Sequence, residues 1–251
     1  FLDDIPTELQ HQADMEAFSS LLQAQVSLAN AVRAALPADV PLLVCPTEYW
    51  GRGTESSLAA LGAELEPTID LFWTGRAICS ATLDLDDART FEQTTGRPPT
   101  YWDNYPVNDV AMGYELHIGP YRGRDRELWR ASRGIVANAM ELFEASRIPF
   151  ATIADYLADP AGYDPEASWQ RAMRDVVGEA DLEAFALFAD NVRSSCLETA
   201  DAPIVEGVLS RALFELEYGD ADAAATSLRS LADRLLAAAA HLLRGPVENR
   251  E

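Results

Sequence analysis

Short apolar runs recur along the first 150 residues with helix-like stretches between them, and this alternation constrains the fold more than any other feature. The runs occupy residues 1–5 (FLDDI), 41–45 (PLLVC), 69–73 (IDLFW), 100–104 (TYWDN) and 133–138 (RGIVAN). Strands that alternate with crossover helices form parallel sheets. The helical partners are legible too. Met15, Phe18, Leu22, Ala29, Val32 and Leu36 fall at helical spacing, with Asp14 as the expected cap. Residues 54–65 and 84–95 read as shorter helices, stopped by Glu66-Pro67 and by Gly96. Residues 115–118 read as either an extra strand or a loop.

Past about residue 160 the pattern changes. DPAGYDPEAS reads as a linker or turn, and the residues beyond it read as helical, with Trp169, Met173 and Val176 on one stripe and Leu228, Leu231, Leu235, Ala239 and Leu242 on another. Such stripes are the core faces of packed helices. The expected division is an α/β domain over 1–160 and a helical bundle over 161–251.

Composition sets outer limits. With 48% hydrophobic and 24% charged residues, the chain has the make-up of a folded globule, and no apolar run approaches the ~20 residues that span a bilayer. Its 41 acids against 19 Lys and Arg give a net charge of −22, which argues against a nucleic-acid partner or an anionic membrane surface. Cys45, Cys79 and Cys196 are odd in number and far apart, so no disulfide framework is implied. His11, His117 and His241 are equally scattered, which disfavours a histidine-rich zinc site. The sequence does not begin with Met, so a secretory signal is not judged; a cytoplasmic location is the working expectation.

Each apolar run ends in polar or aromatic residues: DD, CPTEYWG, WTGR, WDNYPVND, ANAM. In a barrel of parallel strands those ends open on one face, where sites are assembled from residues distant in sequence. Asp3 and Asp4 admit several readings. They can cap a helix or turn. As neighbouring carboxylates they can split into one protonated acid and one anion, the state a general acid and its partner need. They can also hold Mg²⁺ or Ca²⁺ with Glu48, Asp103 or Asp109. Of the aromatic residues near the strand ends, Trp73 and Tyr101 read as packing, whereas Trp102-Asp103-Asn104 suits an uncharged polyhydroxylated ligand. Sugars present apolar faces and hydroxyls that seek carboxylate and amide partners. Asp109 and Asn138 are further candidates for those hydroxyls.

FLDDI, VCPTEYWG, DLFWTGR, YWDNYPVND, IGPYRG and ANAMELFEASRIPFATIADYL, in this order and spacing, resemble glycoside hydrolase family 84, the bacterial β-N-acetylglucosaminidases and protein O-GlcNAcases. The resemblance covers about residues 1–160, and the helical tail is similar in kind to the bundle that follows the family's barrel. It implies a (β/α)8 TIM barrel with the DD motif ending its fourth strand. The five runs would then be the fourth to eighth strands, with the first three absent from this sequence and supplied upstream or by another chain; those would bring a glycine carbonyl and a lysine to the sugar.

The resemblance also implies chemistry. The substrate's own 2-acetamido oxygen would attack the anomeric carbon and form an oxazoline, with overall retention. Asp3 would accept the acetamido N–H, and Asp4 would act as general acid, then general base. Tyr49 would lie near the acetamido group and the leaving oxygen, Trp102 would wall the pocket, and Asn104 would stand beside the acetamido group. Asp109 would receive O4 and O6, and Asn138 the sugar hydroxyls, although ANAM stands where many relatives have Asn-Pro. The implied partner is β-linked N-acetylglucosamine on glycans or on Ser/Thr of glycoproteins, with no metal and no cofactor. A non-catalytic GlcNAc-binding module and a metal-dependent hydrolase remain the alternatives.

Overall fold

A computed structural model describes residues 1–200 and 202–244. The chain divides into two compact units, Phe1–Asn104 with Gly123–Asn138, and Tyr105–Arg122 with the chain from Ala139 onward. The first is an α/β unit around a parallel sheet in the order β1 (Leu42–Val44), β2 (Ile69–Trp73), β3 (Thr100–Asp103), β4 (Gly134–Ala137). Leu42 pairs with Ile69, Trp73 with Tyr101, and Asp103 with Ala137. These are four of the five runs expected as strands.

Residues 1–5 form no strand. Leu2 N–H reaches the Cys45 carbonyl, one residue past the end of β1 (2.9 Å), but no ladder continues, because the backbone turns away at Asp4, whose φ is +47°. A second difference lies in the expected helix beginning at Asp14. It is two helices, α1 (Gln12–Ala17) and α2 (Leu21–Ala35), because Phe18 is extended and Ser20 caps α2 by accepting from the Gln23 N–H. Hydroxyl side chains favour that role over a helix interior.

Helices α3 (Ser56–Glu64) and α4 (Leu85–Thr95) are the crossovers joining β1 to β2 and β2 to β3. Gly96 ends α4 with φ +71°, the left-handed conformation that glycine adopts without penalty. The period-two alternation of β2 puts Ile69, Leu71 and Trp73 on the helix side, all fully buried. Trp73 stacks on Phe91 of α4 and lies against Tyr101, so both residues are packing aromatics, as expected from their places inside strands. Phe72 and Trp102 lie on the opposite face, where their rings meet edge to face at 5.5 Å. Two buried arginines tie off helix ends. Arg33 donates to the Leu36, Pro37 and Val40 carbonyls past α2, and Arg97 donates to Gly62 and Ile69 around the end of α3, a cation meeting the negative pole of a helix.

The second unit is helical: α5 (Phe143–Ala158), α6 (Pro165–Val177), α7 (Leu182–Asp190), α8 (Pro203–Glu217) and α9 (Ala221–Leu242). Asp164 caps α6 by accepting from the Ala167 N–H, and Pro165 fills its first position. Trp169 and Met173 are buried as their stripe predicts, together with Ile118 and Met140. The α9 stripe is only half realised: Leu231 is buried while Leu228 and Ala239 face solvent. Residues 115–118 are loop rather than strand. Among the described residues no helix is long and apolar enough to cross a membrane.

Candidate active site

The residues singled out in sequence gather, with one exception, where the strands of the first unit end. Asp3 is half-buried and Asp4 exposed, directly after Leu2 bonds to the end of β1. A left-handed backbone at a non-glycine residue is uncommon, and Asp is among the residues that tolerate it. Tyr49, on the loop after β1, donates its phenol to Asp4 Oδ1 at 3.3 Å. The Thr74 N–H bonds the Tyr49 carbonyl and the Gly51 N–H bonds the Gly75 carbonyl, both at 2.9 Å, so the loops after β1 and β2 are knitted together.

Electrostatics follow from this crowding. Burial first, then the charge and hydrogen bond of Asp4 and the charge of Asp3, push the Tyr49 phenol up to about 12, so it remains a donor through the physiological range. Burial, with Asp3 next, likewise pushes the Cys45 thiol up to about 12. Cys45 is therefore an inert, buried thiol at the end of β1 rather than a nucleophile.

Trp102, Asn104 and Asn138 form a second group. Asn104 Oδ1 accepts from Trp102 Nε1 at 2.8 Å and from Asn138 Nδ2 at 3.1 Å, while Asn104 Nδ2 donates to the Ile78 carbonyl at 2.9 Å. Both donors converge on that amide oxygen, which fixes the orientation of the Asn104 side chain. The Asn138 N–H bonds the Asp103 carbonyl at 2.9 Å, which joins the ends of β3 and β4. Ile78 was not foreseen; it contributes only a main-chain oxygen, and nothing in its side chain signals that.

The metal reading meets a specific obstacle. Asp103 is buried in a bidentate pair with Arg124, with Nε to Oδ2 at 2.9 Å and Nη2 to Oδ1 at 2.5 Å, and its carboxylate is committed to that cation. Glu48 accepts from the Ser57 hydroxyl. Among the described residues no three His, Cys, Asp or Glu side chains converge as a metal-holding group.

Asp109 is the exception: it belongs to the second unit. There it is exposed at the start of a short 3-10 turn, Val110–Met112. The loop is held from below by the Asn108 amide on the Glu115 carbonyl (2.6 Å) and by His117, whose ring nitrogens face the Val107 carbonyl and the Glu115 carboxylate, each at 2.8 Å. Tyr105, another aromatic near a strand end, is wholly buried in this unit and gives its hydroxyl to the Gly119 carbonyl. It is a packing residue.

A pair of carboxylates, a phenol that keeps its proton and an amide-indole cluster can hold a polar, uncharged ligand and move a proton to or from an oxygen. Comparison with known proteins narrows this. Residues 1–190 match the family model described as beta-N-acetylglucosaminidase. The chain is 34% identical to the rat (Rattus norvegicus) protein O-GlcNAcase over 150 residues and 33% identical to its mouse (Mus musculus) counterpart. In each case the match takes in 57% of this chain and 16% of the relative. A solved structure of a mutant of the Thermobaculum terrenum O-GlcNAc hydrolase superposes with a TM-score of 0.93 at 33% identity, covering 98% of this chain and 54% of that one. The chain thus spans about half of that hydrolase and a small part of the mammalian proteins.

Proposed function

The chain belongs to the β-N-acetylglucosaminidase family, glycoside hydrolase family 84, and from that premise we propose that it carries the acid pair of a retaining exo-β-N-acetylglucosaminidase that uses the substrate's own acetamido group as nucleophile. The four parallel strands and residues 1–5 would stand as the fourth to eighth positions of a (β/α)8 barrel. The high TM-score to the bacterial hydrolase supports that reading. Substrates would be β-linked N-acetylglucosamine on glycans or on Ser/Thr of proteins, the second in keeping with the names of the mammalian relatives.

The observation that carries the proposal is the 3.3 Å contact between the Tyr49 phenol and Asp4, which joins two family motifs that lie far apart in sequence. In the proposed mechanism Asp3 accepts the acetamido N–H and steadies the positive charge that grows as the acetamido oxygen closes on the anomeric carbon. Asp4 gives its proton to the departing oxygen. It then takes a proton from the water that opens the oxazoline, so the anomeric configuration is retained. Tyr49, a donor beside Asp4, would stand near the acetamido group and the leaving oxygen. Trp102 offers an apolar face held in place by its bond to Asn104, and Asn138 would meet sugar hydroxyls. Asp109 would accept hydroxyls at O4 and O6.

The test is hydrolysis, by the natural protein, of aryl N-acetyl-β-glucosaminides whose acetyl group carries zero to three fluorines. Each fluorine weakens the carbonyl oxygen as a nucleophile. A steep fall in rate across the series is expected, and turnover indifferent to fluorination would refute attack by the acetamido group.

A further inference from the structure

Leu2, the residue before the acid pair, is bonded through both faces of its backbone. Its N–H donates to the Cys45 carbonyl at 2.9 Å, and its carbonyl accepts from Thr47 Oγ1 at 2.6 Å. A carbonyl can only accept, so the Thr47 hydroxyl proton points at Leu2, and the hydroxyl's lone pairs face the other way. There Gln25 Nε2 donates at 2.6 Å. This order leaves one orientation for the Gln25 amide, with NH₂ toward Thr47. Gln25 lies on the buried face of α2 beside Val26 and Ala29, 7% exposed. A buried amide is costly unless bonded, and a leucine would fill that place without the penalty. Its amide is explained by the relay it feeds.

We propose that Thr47 and Gln25 are positioning residues for the acid pair, acting through the Leu2 carbonyl; this rests on the reading of Asp4 as the acid–base group. Two features support it. Asp4 has φ +47°, an uncommon conformation that Asp tolerates, and fixing the Leu2 carbonyl just upstream helps hold the chain in that turn. In addition, Thr47 and Tyr49 sit two residues apart on one loop. That loop grips the pair twice, at the backbone through Thr47 and at the Asp4 carboxylate through Tyr49. The hydroxyl also links α2 to the strand-end loop, so a bond in the helical layer of the first unit reaches the dipeptide through two short hydrogen bonds in series.

The experiment compares Thr47→Val, Thr47→Ser, Gln25→Leu and the Gln25→Leu/Thr47→Val double variant in the natural protein, on aryl N-acetylglucosaminides spanning good and poor leaving groups. Misplacing an acid matters where the departing oxygen is basic. Thr47→Val is expected to lose about 10- to 100-fold in kcat on poor leaving groups and less than about threefold on the best, with KM nearly unchanged. Thr47→Ser keeps the donor and should keep the wild-type leaving-group slope. Gln25→Leu should steepen the slope less, and the double variant should be no worse than Thr47→Val alone, as for members of one relay. A Thr47→Val enzyme that matches wild type on every aglycone, or loses one common factor on all of them, overturns the proposal; so does Thr47→Ser behaving like Thr47→Val. Failure of the acetamido mechanism reads differently. It appears in the wild type as indifference to acetyl fluorination, while the leaving-group slopes of the Thr47 variants still report on Asp4.

Discussion

Asp103→Asn is the perturbation that tests most sharply how fold and site are joined. The side chain keeps its shape, but the Arg124 guanidinium loses the anion that meets Nε and Nη2, in a place where the two side chains are 1% and 3% exposed. A neutral amide oxygen then stands where the carboxylate was, with the Ala81 carbonyl still 3.0 Å from Nη1. Removing one partner of such a buried pair costs about 3–5 kcal/mol, because the remaining charge is stranded away from water. At roughly 2–4 °C per kcal/mol for a chain of this size, the melting temperature should fall by about 6–20 °C. Thermal unfolding of parent and variant side by side measures this. The apolar double variant Asp103→Leu/Arg124→Met should regain most of the loss, since no charge is then buried. Activity should fall too, because the Asp103 carbonyl receives the Asn138 N–H and any shift there moves the Asn104–Asn138–Trp102 cluster. A loss under about 1 kcal/mol would place the pair among solvated surface bridges and refute the reasoning. So would a double variant as unstable as the single one.

Three further outcomes are expected. Asp4→Asn should cut turnover of aglycones with poor leaving groups by about 10²- to 10⁴-fold and of the best ones far less; equal losses on both would count against Asp4 as the acid. Stability should decline as pH rises from about 9 toward 12. Burial holds the Cys45 thiol (ordinarily 9.0) and the Tyr49 and Tyr163 phenols (ordinarily 10.0) up to about 12, so the folded chain keeps protons that the unfolded chain releases. Melting curves across that range, with Tyr49→Phe showing a shallower decline, check this. Gly62→Ala would place a Cβ 2.5 Å from the Thr95 Cα, a backbone atom of the neighbouring helix, and should destabilise by about 1–3 kcal/mol in urea titration.

The strands that were legible in the sequence are the ones whose evidence is local. IDLFW reads as buried β because every second residue meets helices, and Gly96 reads as a stop because its left-handed φ suits glycine. What was missed depends on partners. Residues 1–5 have a strand's composition but form no ladder; a turn is one local reading of Asp3-Asp4, and the apolar residues beside it speak for a strand with equal force. The Ser19-Ser20 break in the first helix was overridden by an apolar period that runs across it. Among the candidate site residues, Asp3, Asp4, Trp102, Asn104, Asp109 and Asn138 stand out because acids, aromatics and amides at strand ends are chemically suggestive, whereas Tyr49 is marked by the family resemblance. Asp103 looked equally suggestive and is taken by Arg124, a pairing across a loop that spacing does not encode. Thr47 and Ile78 act through a hydroxyl turned to a backbone oxygen and through a main-chain carbonyl, and neither contact leaves a trace in residue type.

The way the chain is threaded bears on how this protein can be cut and recombined. Residues Tyr105–Arg122 leave the α/β unit, join the helical one, and return the chain at Gly123. In the helical unit Ile118 is core, and its carbonyl receives the Trp169 indole N–H at 2.6 Å. A gene truncated near residue 160, at the apparent linker, discards Trp169 and takes from the 105–122 excursion, which carries Asp109, the partner of its Ile118 carbonyl, leaving it to the α5 contacts. The helices are thus no detachable appendage. A graft of the α/β half onto another scaffold must bring α6 along, or replace the face that α6 offers to Ile118.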